Sequence, residues 1–369
     1  MMKINKNKNY FFEVIFIILF SLLALYTGVY RDGNYLYDYL FLLYAFYAFL
    51  RSITITYSRK EIIILISVTI LFVLNSFFSK GNSWLSILII LLGSRKIAID
   101  RIIDSLLICK IISFIGVLTF VNLHILENKQ VLTYRYGEVV ARYAYGFNHP
   151  NTLHAFFFII IMLFIYRFFT KLKYLHLVII LIINQYIYSI SVARTGYFLV
   201  IFAVVFYIIL RNNFLIQQIT FKIAPYVQFI AMFSLLLFSL FFFNTPIVSK
   251  LDNLLSGRIY YAKLILTDSL NLFGNEINYF IDRYILFFHD NSYSSTLALS
   301  GIIITFGYMY LYFKTSRKLV QDHNIAALYL FVSNSLLFYS EDYIREPFLN
   351  ITLFFIGKYI FNELGEINE

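Results

Sequence analysis

The sequence predicts an all-α, polytopic integral membrane protein, and three observations predict it. Hydrophobic residues fill 60% of the 369 positions and the mean hydropathy is +0.76. Charged residues make up only 14%, against roughly a quarter in soluble domains. Four prolines stand beside 42 phenylalanines, which suits long helices, whereas an outer-membrane barrel shows short alternating segments divided by turn residues.

The apolar runs define the elements in order. The first, Tyr10 to Tyr30, comes after Lys3, Lys6 and Lys8 as a signal peptide's apolar core would, yet it is too long and lacks a small-residue cleavage site. It is expected to remain as an anchor. Further runs able to cross or nearly cross ~30 Å of hydrocarbon fall near residues 35–50, 62–78, 84–94, 102–124, 152–169, 174–192, 196–210, 223–243, 296–313, 325–339 and 347–361. Together they predict about twelve transmembrane helices in a single domain, 1–369. Trp84 to Ser94 is the shortest run and is read as a tilted or re-entrant piece.

Basic residues test this order, because short cytoplasmic loops collect them. With the N-terminus inside, Lys3, Lys6, Lys8, Arg51, Arg59, Lys60, Arg95, Lys96 and Arg101 lie on the inner side of the first half, against Arg31 and Lys80 outside. Both termini are then cytoplasmic. Beyond residue 124 the two sides balance, and the outer cations are Lys129, Arg135, Arg142, Arg194, Lys250, Arg258, Lys263, Arg283 and Arg345. Cations placed where insertion disfavours them suggest an anionic ligand on that face, beside the plainer reading that they solvate long loops that translocate regardless of charge.

The net charge of +10 is explained by basic loops beside anionic lipid and does not call for nucleic acid. Cys109 is the only cysteine, which excludes an intramolecular disulfide and a cysteine metal cluster. No phosphate-binding glycine loop, His-Glu-x-x-His, Gly-x-Ser-x-Gly or clustered Asp-x-Asp occurs. No metal and no cofactor is expected.

The most polar stretch, residues 244–295, is predicted as a large extracytoplasmic loop between the ninth and tenth helices. Ile259, Ala262, Ile265, Leu266, Leu270 and Phe273, then Ile277, Phe280, Ile281, Tyr284, Ile285 and Phe288, recur at helical spacing. They predict amphipathic helices with Arg258, Lys263, Asp282 and Arg283 on their polar sides. Lipid hosts no unpaired polar group, so chemistry on a membrane-held substrate belongs at such a surface loop.

Four constellations carry candidate chemistry. Arg194, in Ser-Val-Ala-Arg-Thr-Gly, offers a rigid fork that suits phosphate oxygens, or else snorkels to the interface, and Gly196 permits close approach. Arg258 comes after Gly257 at a helix start, where backbone N–H groups add to its pull on an anion, or else is an ordinary solvated loop arginine. His289, Asp290 and Asn291 precede the tenth helix, where an imidazole or carboxylate can serve as general base and Asp290 or Asn291 can equally be an N-cap. His149 and Asn151, in Phe-Asn-His-Pro-Asn, come after Arg135 and Arg142, although Pro150 and Asn151 also suit a helix start. Within the membrane, Glu13, Asp38, Asp104 and Lys110 are ionisable. Asp104 and Lys110 are six positions apart, so each is expected to meet a partner on another helix.

The order Phe-Asn-His-Pro-Asn (147–151), Ala-Arg-Thr-Gly (193–196), Ser-Gly-Arg (256–258) with Leu-Phe-Gly (272–274), and Asp-Asn-Ser-Tyr (290–293) leading to Gly301 resembles the Wzy-type polysaccharide polymerases and the related O-antigen ligases. The resemblance runs from about Arg135 to the C-terminus. In the ligases a His-Asn-type pair precedes a glycine by nine residues. Asp290-Asn291 and Gly301 keep that spacing, with aspartate in the histidine's place and without the ligases' second glycine, which favours the polymerase and leaves the base open between Asp290 and His289. The richness in Phe, Ile, Lys, Asn and Tyr is similar to that of a low-GC, Gram-positive genome making capsule or exopolysaccharide.

The resemblance implies a glycosyltransferase in the bacterial cytoplasmic membrane that joins polyprenyl-pyrophosphate-linked repeat units by inverting transfer. Arg194 and Arg258 would bind the pyrophosphate, and Asp290 or His289 would activate the acceptor hydroxyl. Arg135, Arg142, His149, Asn151, Arg283, Asn291 and Tyr293 are the candidate substrate-binding residues. A flippase and a chain-length regulator are implied partners. The alternatives are a ligase, a lipid-linked oligosaccharide flippase, which should show matched halves, and a membrane acyltransferase.

Overall fold

A computed structural model describes residues 6–29, 35–135, 138–255, 257–268, 270–277 and 291–363. The chain is helical, with one antiparallel hairpin of β1 (Gln130–Arg135) and β2 (Glu138–Tyr143) among the described residues. Among the described residues seven helices are long and apolar enough to cross a membrane. Their outward faces agree: on Arg59–Ser79, Ile63, Ile66, Ile70 and Phe77 are all more than half exposed, an apolar stripe that only lipid or another apolar partner can cover. Ser83–Gly93 and Ile325–Ser340 are shorter apolar helices. The expected last crossing at 347–361 is helical only over Thr352–Ile360, nine residues that rise about 14 Å. The expected ninth begins earlier, because Phe214–Phe241 runs on as one apolar span through a 3₁₀ turn at Pro225.

The chain clusters into two compact units. The first holds α1 (Lys6–Val29), α2 (Tyr35–Thr54), α5 (Ile99–Asn122), the hairpin, α6 (Pro150–Arg167), α7 (Tyr174–Ser191) and α8 (Arg194–Asn212). α6 is central: it packs on α5, α7 and α8, and it is apolar on all sides because it is enclosed on all sides. Asp104 and Lys110 find partners on other helices, as expected. Arg167 Nε lies 2.5 Å from Asp104 Oδ1, while Lys110 Nζ donates to the Ala24 carbonyl at 3.5 Å and lies 4.7 Å from the Phe156 ring centroid.

The second unit holds α3 (Arg59–Ser79), most of α4 (Ser83–Gly93), α9 (Phe214–Ile223), α10 (Val227–Leu236), α11 (Pro246–Leu254), α12 (Arg258–Asp268), α13 (Ser292–Gln321), α14 (Ile325–Ser340) and α15 (Thr352–Ile360). α13 is its hub and packs on α3, α10, α12, α14 and α15.

α13 is broken at Gly301, whose φ of 79° and ψ of 172° lie outside any helix and in a region that only glycine enters freely. The break frees backbone groups on both sides, and residues 271–275 of the preceding loop satisfy them. Asn275 N donates to the Ala298 carbonyl at 2.9 Å, and Ile302 N and Ile303 N donate to the Asn271 and Leu272 carbonyls at 2.9 and 3.3 Å. Asn75 on α3 donates its amide to the Phe273 and Leu299 carbonyls at 2.7 and 3.1 Å. The approach is so close that a Cβ on Gly274 would collide with the Leu299 carbonyl, and one on Gly301 with Leu272 and Gly274 backbone. The expected helical repeat through Phe273 therefore ends at Asp268. Residues 271–275 form a backbone wedge inside a broken helix instead.

Candidate functional site

In the first unit the hairpin brings Arg142 down onto the ends of α6 and α7. Arg142 is 4% exposed; its Nε donates to the Ser191 carbonyl at 3.0 Å and its Nη2 to Asn151 Oδ1 at 2.5 Å. His149 is the N-cap of α6, its Nδ1 accepting from Asn151 N at 3.1 Å, with Pro150 in the first turn. Three predicted residues thus meet, and much of what they do is build a helix start. Arg135 ends β1, paired in register with Glu138.

Beneath them lies a chain of hydrogen bonds that sequence reasoning misses. Asn184 Nδ2 donates to the Tyr197 carbonyl at 3.2 Å, which turns Oδ1 toward His154 Nε2 at 2.7 Å and makes that nitrogen the donor. His154 Nδ1 lies 3.2 Å from Ser191 Oγ, which accepts from Ala193 N at 3.3 Å. His154, Asn184 and Ser191 are fully buried. A Cβ on Gly196 would stand 2.7 Å from His154 Cβ, so the group that needs this glycine is an imidazole of the chain itself. A histidine inside an otherwise apolar run is the only signal that could have revealed the cluster. Arg194, half-buried, is the first residue of α8.

In the second unit Arg258 departs from expectation. The sequence puts it on a polar helix face, whereas in the fold it is 2% exposed. Its Nε and Nη1 donate to the Ser340 and Leu255 carbonyls at 2.9 and 3.0 Å, and its Nη2 lies 3.5 Å from Glu341 Oε1. The N–H groups at the start of α12 are not open to a ligand anion either, because Asp252 Oδ1 accepts from Ile259 N at 2.7 Å and Tyr260 N at 3.2 Å.

Asn291 caps α13, its Oδ1 accepting from Tyr293 N and Ser294 N at 2.9 and 3.2 Å, while its Nδ2 donates to the Tyr339 carbonyl at 2.8 Å. Tyr293 is buried and its hydroxyl donates to the Ser335 carbonyl at 2.9 Å. Both residues fasten α13 to α14. The turn after α14 adds a second ion pair: Arg345 Nη2 donates to Asp342 Oδ2 at 2.9 Å and to Ser295 Oγ at 3.0 Å. Glu341 and Asp342 are further residues that sequence reasoning misses, although two adjacent carboxylates between apolar runs are a legible signal. Arg283, His289 and Asp290 lie outside the described residues. No group of three or more His, Cys, Asp or Glu able to hold a metal occurs among the described residues.

A neutral polar network also crosses the interior of this unit. Asn350 Nδ2 donates to the Ile344 carbonyl at 2.8 Å and to Tyr308 Oη at 3.3 Å, and its Oδ1 accepts from Thr352 Oγ1 at 2.6 Å and Asn334 Nδ2 at 3.0 Å. Polar residues are therefore not confined to loops. No family model, curated protein or solved structure matches the chain.

Proposed function

We propose that the chain is a membrane polymerase that joins polyprenyl-pyrophosphate-linked oligosaccharide repeat units into a surface polysaccharide on the outer face of a bacterial cytoplasmic membrane, crossing it about twelve times. One observation carries this reading: the loop before α13 is built into its unit at fixed points. Its helix α12 is clamped through Arg258 to the end of α14, residues 271–275 are wedged into the break of α13, and Asn291 caps α13. A connection that merely solvates needs no such anchoring. A catalytic segment does, because its groups must be held in place before the substrate arrives.

In the transfer, an acceptor hydroxyl on the incoming repeat unit attacks the anomeric carbon of the growing glycan with inversion. The new C–O bond forms as the bond to pyrophosphate breaks, the leaving electron pair goes to the diphosphate, and Asp290 or His289 takes the hydroxyl proton. Arg194 is assigned to the diphosphate, whose growing charge it stabilises. Arg258, spent on carbonyls and Glu341, holds the loop. Arg142 and Asn151 support the same face of their own unit.

Transport of the lipid-linked glycan is the second reading, favoured by the broken helix and the buried Asn334–Asn350–Tyr308 network, which are transporter traits. Against it, the break of α13 is filled by the chain's own backbone. Purified protein supplied with a lipid-linked repeat unit separates the readings. A ladder of longer glycans means polymerase, a single transfer to another acceptor means ligase, and translocation without new bonds means flippase.

A further inference from the structure

The turn between α7 and α8 holds a residue where its side chain disfavours it. Val192 has φ 47° and ψ 34°, the left-handed region, which a β-branched residue enters only under constraint. Val192 is the C-cap of α7, its N–H donating to the Tyr188 carbonyl at 2.8 Å, a position where helix ends often turn left-handed on a glycine or asparagine, but Ser-Val-Ala-Arg has neither to ease it. The constraint comes from around it. The Ser191 carbonyl is held by Arg142 Nε at 3.0 Å, the Ser191 hydroxyl lies 3.2 Å from His154 Nδ1, and Ala193 N returns to that hydroxyl at 3.3 Å. His154 is fixed in turn by Asn184, whose amide is fixed by the Tyr197 carbonyl inside α8. The residues on both sides of Val192 are thus tied to α6, α7, α8 and the hairpin, and the next residue after Ala193 is Arg194.

We propose that His154, Ser191 and Arg142 are positioning residues that clamp the strained Val192 turn so that Arg194 is presented to the diphosphate of a polyprenyl-linked substrate. This rests on the role given to Arg194 above. A guanidinium on a long side chain is a poor diphosphate ligand if its backbone wanders, because ordering it on binding costs entropy. A turn kept out of its relaxed form by several separate attachments removes that wandering. The buried histidine reaches no ligand itself; it acts through the serine.

The test uses the full-length protein in detergent and a short-chain polyprenyl pyrophosphate, with binding followed by calorimetry. Val192→Gly relaxes the backbone and leaves every hydrogen bond of the clamp available, so the protein folds at normal yield while affinity falls about tenfold, the factor that misplacing one charged contact removes. Ser191→Ala lowers affinity to a similar degree in the wild-type background and adds nothing in the Arg194→Ala background, since the two act as one unit. A purely structural role predicts the opposite: equal losses in both backgrounds, or unchanged affinity with lower thermal stability only. Either result overturns the inference. Polymerisation of a lipid-linked repeat unit by the wild type is measured separately, so a failed clamp and a failed polymerase reading give different patterns.

Discussion

At the residue scale, charge and position single out arginines, but they do not say what each arginine holds. Arg194 and Arg258 read alike in the sequence. In the fold Arg258 is buried against the Ser340 and Leu255 carbonyls, partners that no composition reveals because every residue carries a carbonyl. The two substitutions should therefore separate. Arg258→Ala removes a buried charge from Glu341 and leaves carbonyls unmet, and should cost on the order of 3 kcal/mol of stability, seen as a lower Tm in detergent. Arg194→Ala should slow glycosyl transfer about 100-fold or more, as losing one donor to a developing anion does. An Arg258→Ala protein as stable as wild type would refute its assignment as a clamp. His154 escapes sequence reasoning for a related reason: inside an apolar helix it looks like an isolated polar residue until Asn184 and Ser191 arrive from α7.

At the element scale, helices were legible because hydrophobic length and the scarcity of proline dictate them, and Asn291 as a cap was legible because asparagine before a helix is a local signal. The break of α13 was not. Gly301 sits in a run whose composition continues smoothly, and what keeps it open is the preceding loop, residues 271–275, which donates and accepts at the gap. Gly301→Ala tests this directly. Its Cβ would enter Leu272 and Gly274 backbone, so the wedge must leave. Amide hydrogen exchange at Asn275 and Ile302 should then speed up about tenfold or more, the factor matching 1.4 kcal/mol. Unchanged protection at both amides would mean the wedge does not depend on the close glycine contact. Gly274→Ala should behave the same way, because its Cβ meets the Leu299 carbonyl.

At the scale of the whole molecule, membrane residence rests on hydropathy and on the exposed apolar faces of helices such as α3, and the sidedness of the loop rests on basic residues in the first half of the chain. Cys109 is the only cysteine and is buried, so a Cys109→Ser background is silent to thiol reagents. Thr267→Cys, exposed at the end of α12, should react with a membrane-impermeant maleimide added to intact cells; reaction only after lysis would put α12 in the cytoplasm. Function was the least legible level, because short motifs in order carry a resemblance and not the acceptor or the bond made. The decisive measurement is incubation of the purified protein, reconstituted in lipid vesicles, with a polyprenyl-pyrophosphate-linked repeat unit, and sizing of the products. A polymerase yields a ladder of glycans rising by one repeat at a time and releases polyprenyl pyrophosphate; intact substrate with no new glycosidic bond, under conditions where the protein binds it, would rule the polymerase out.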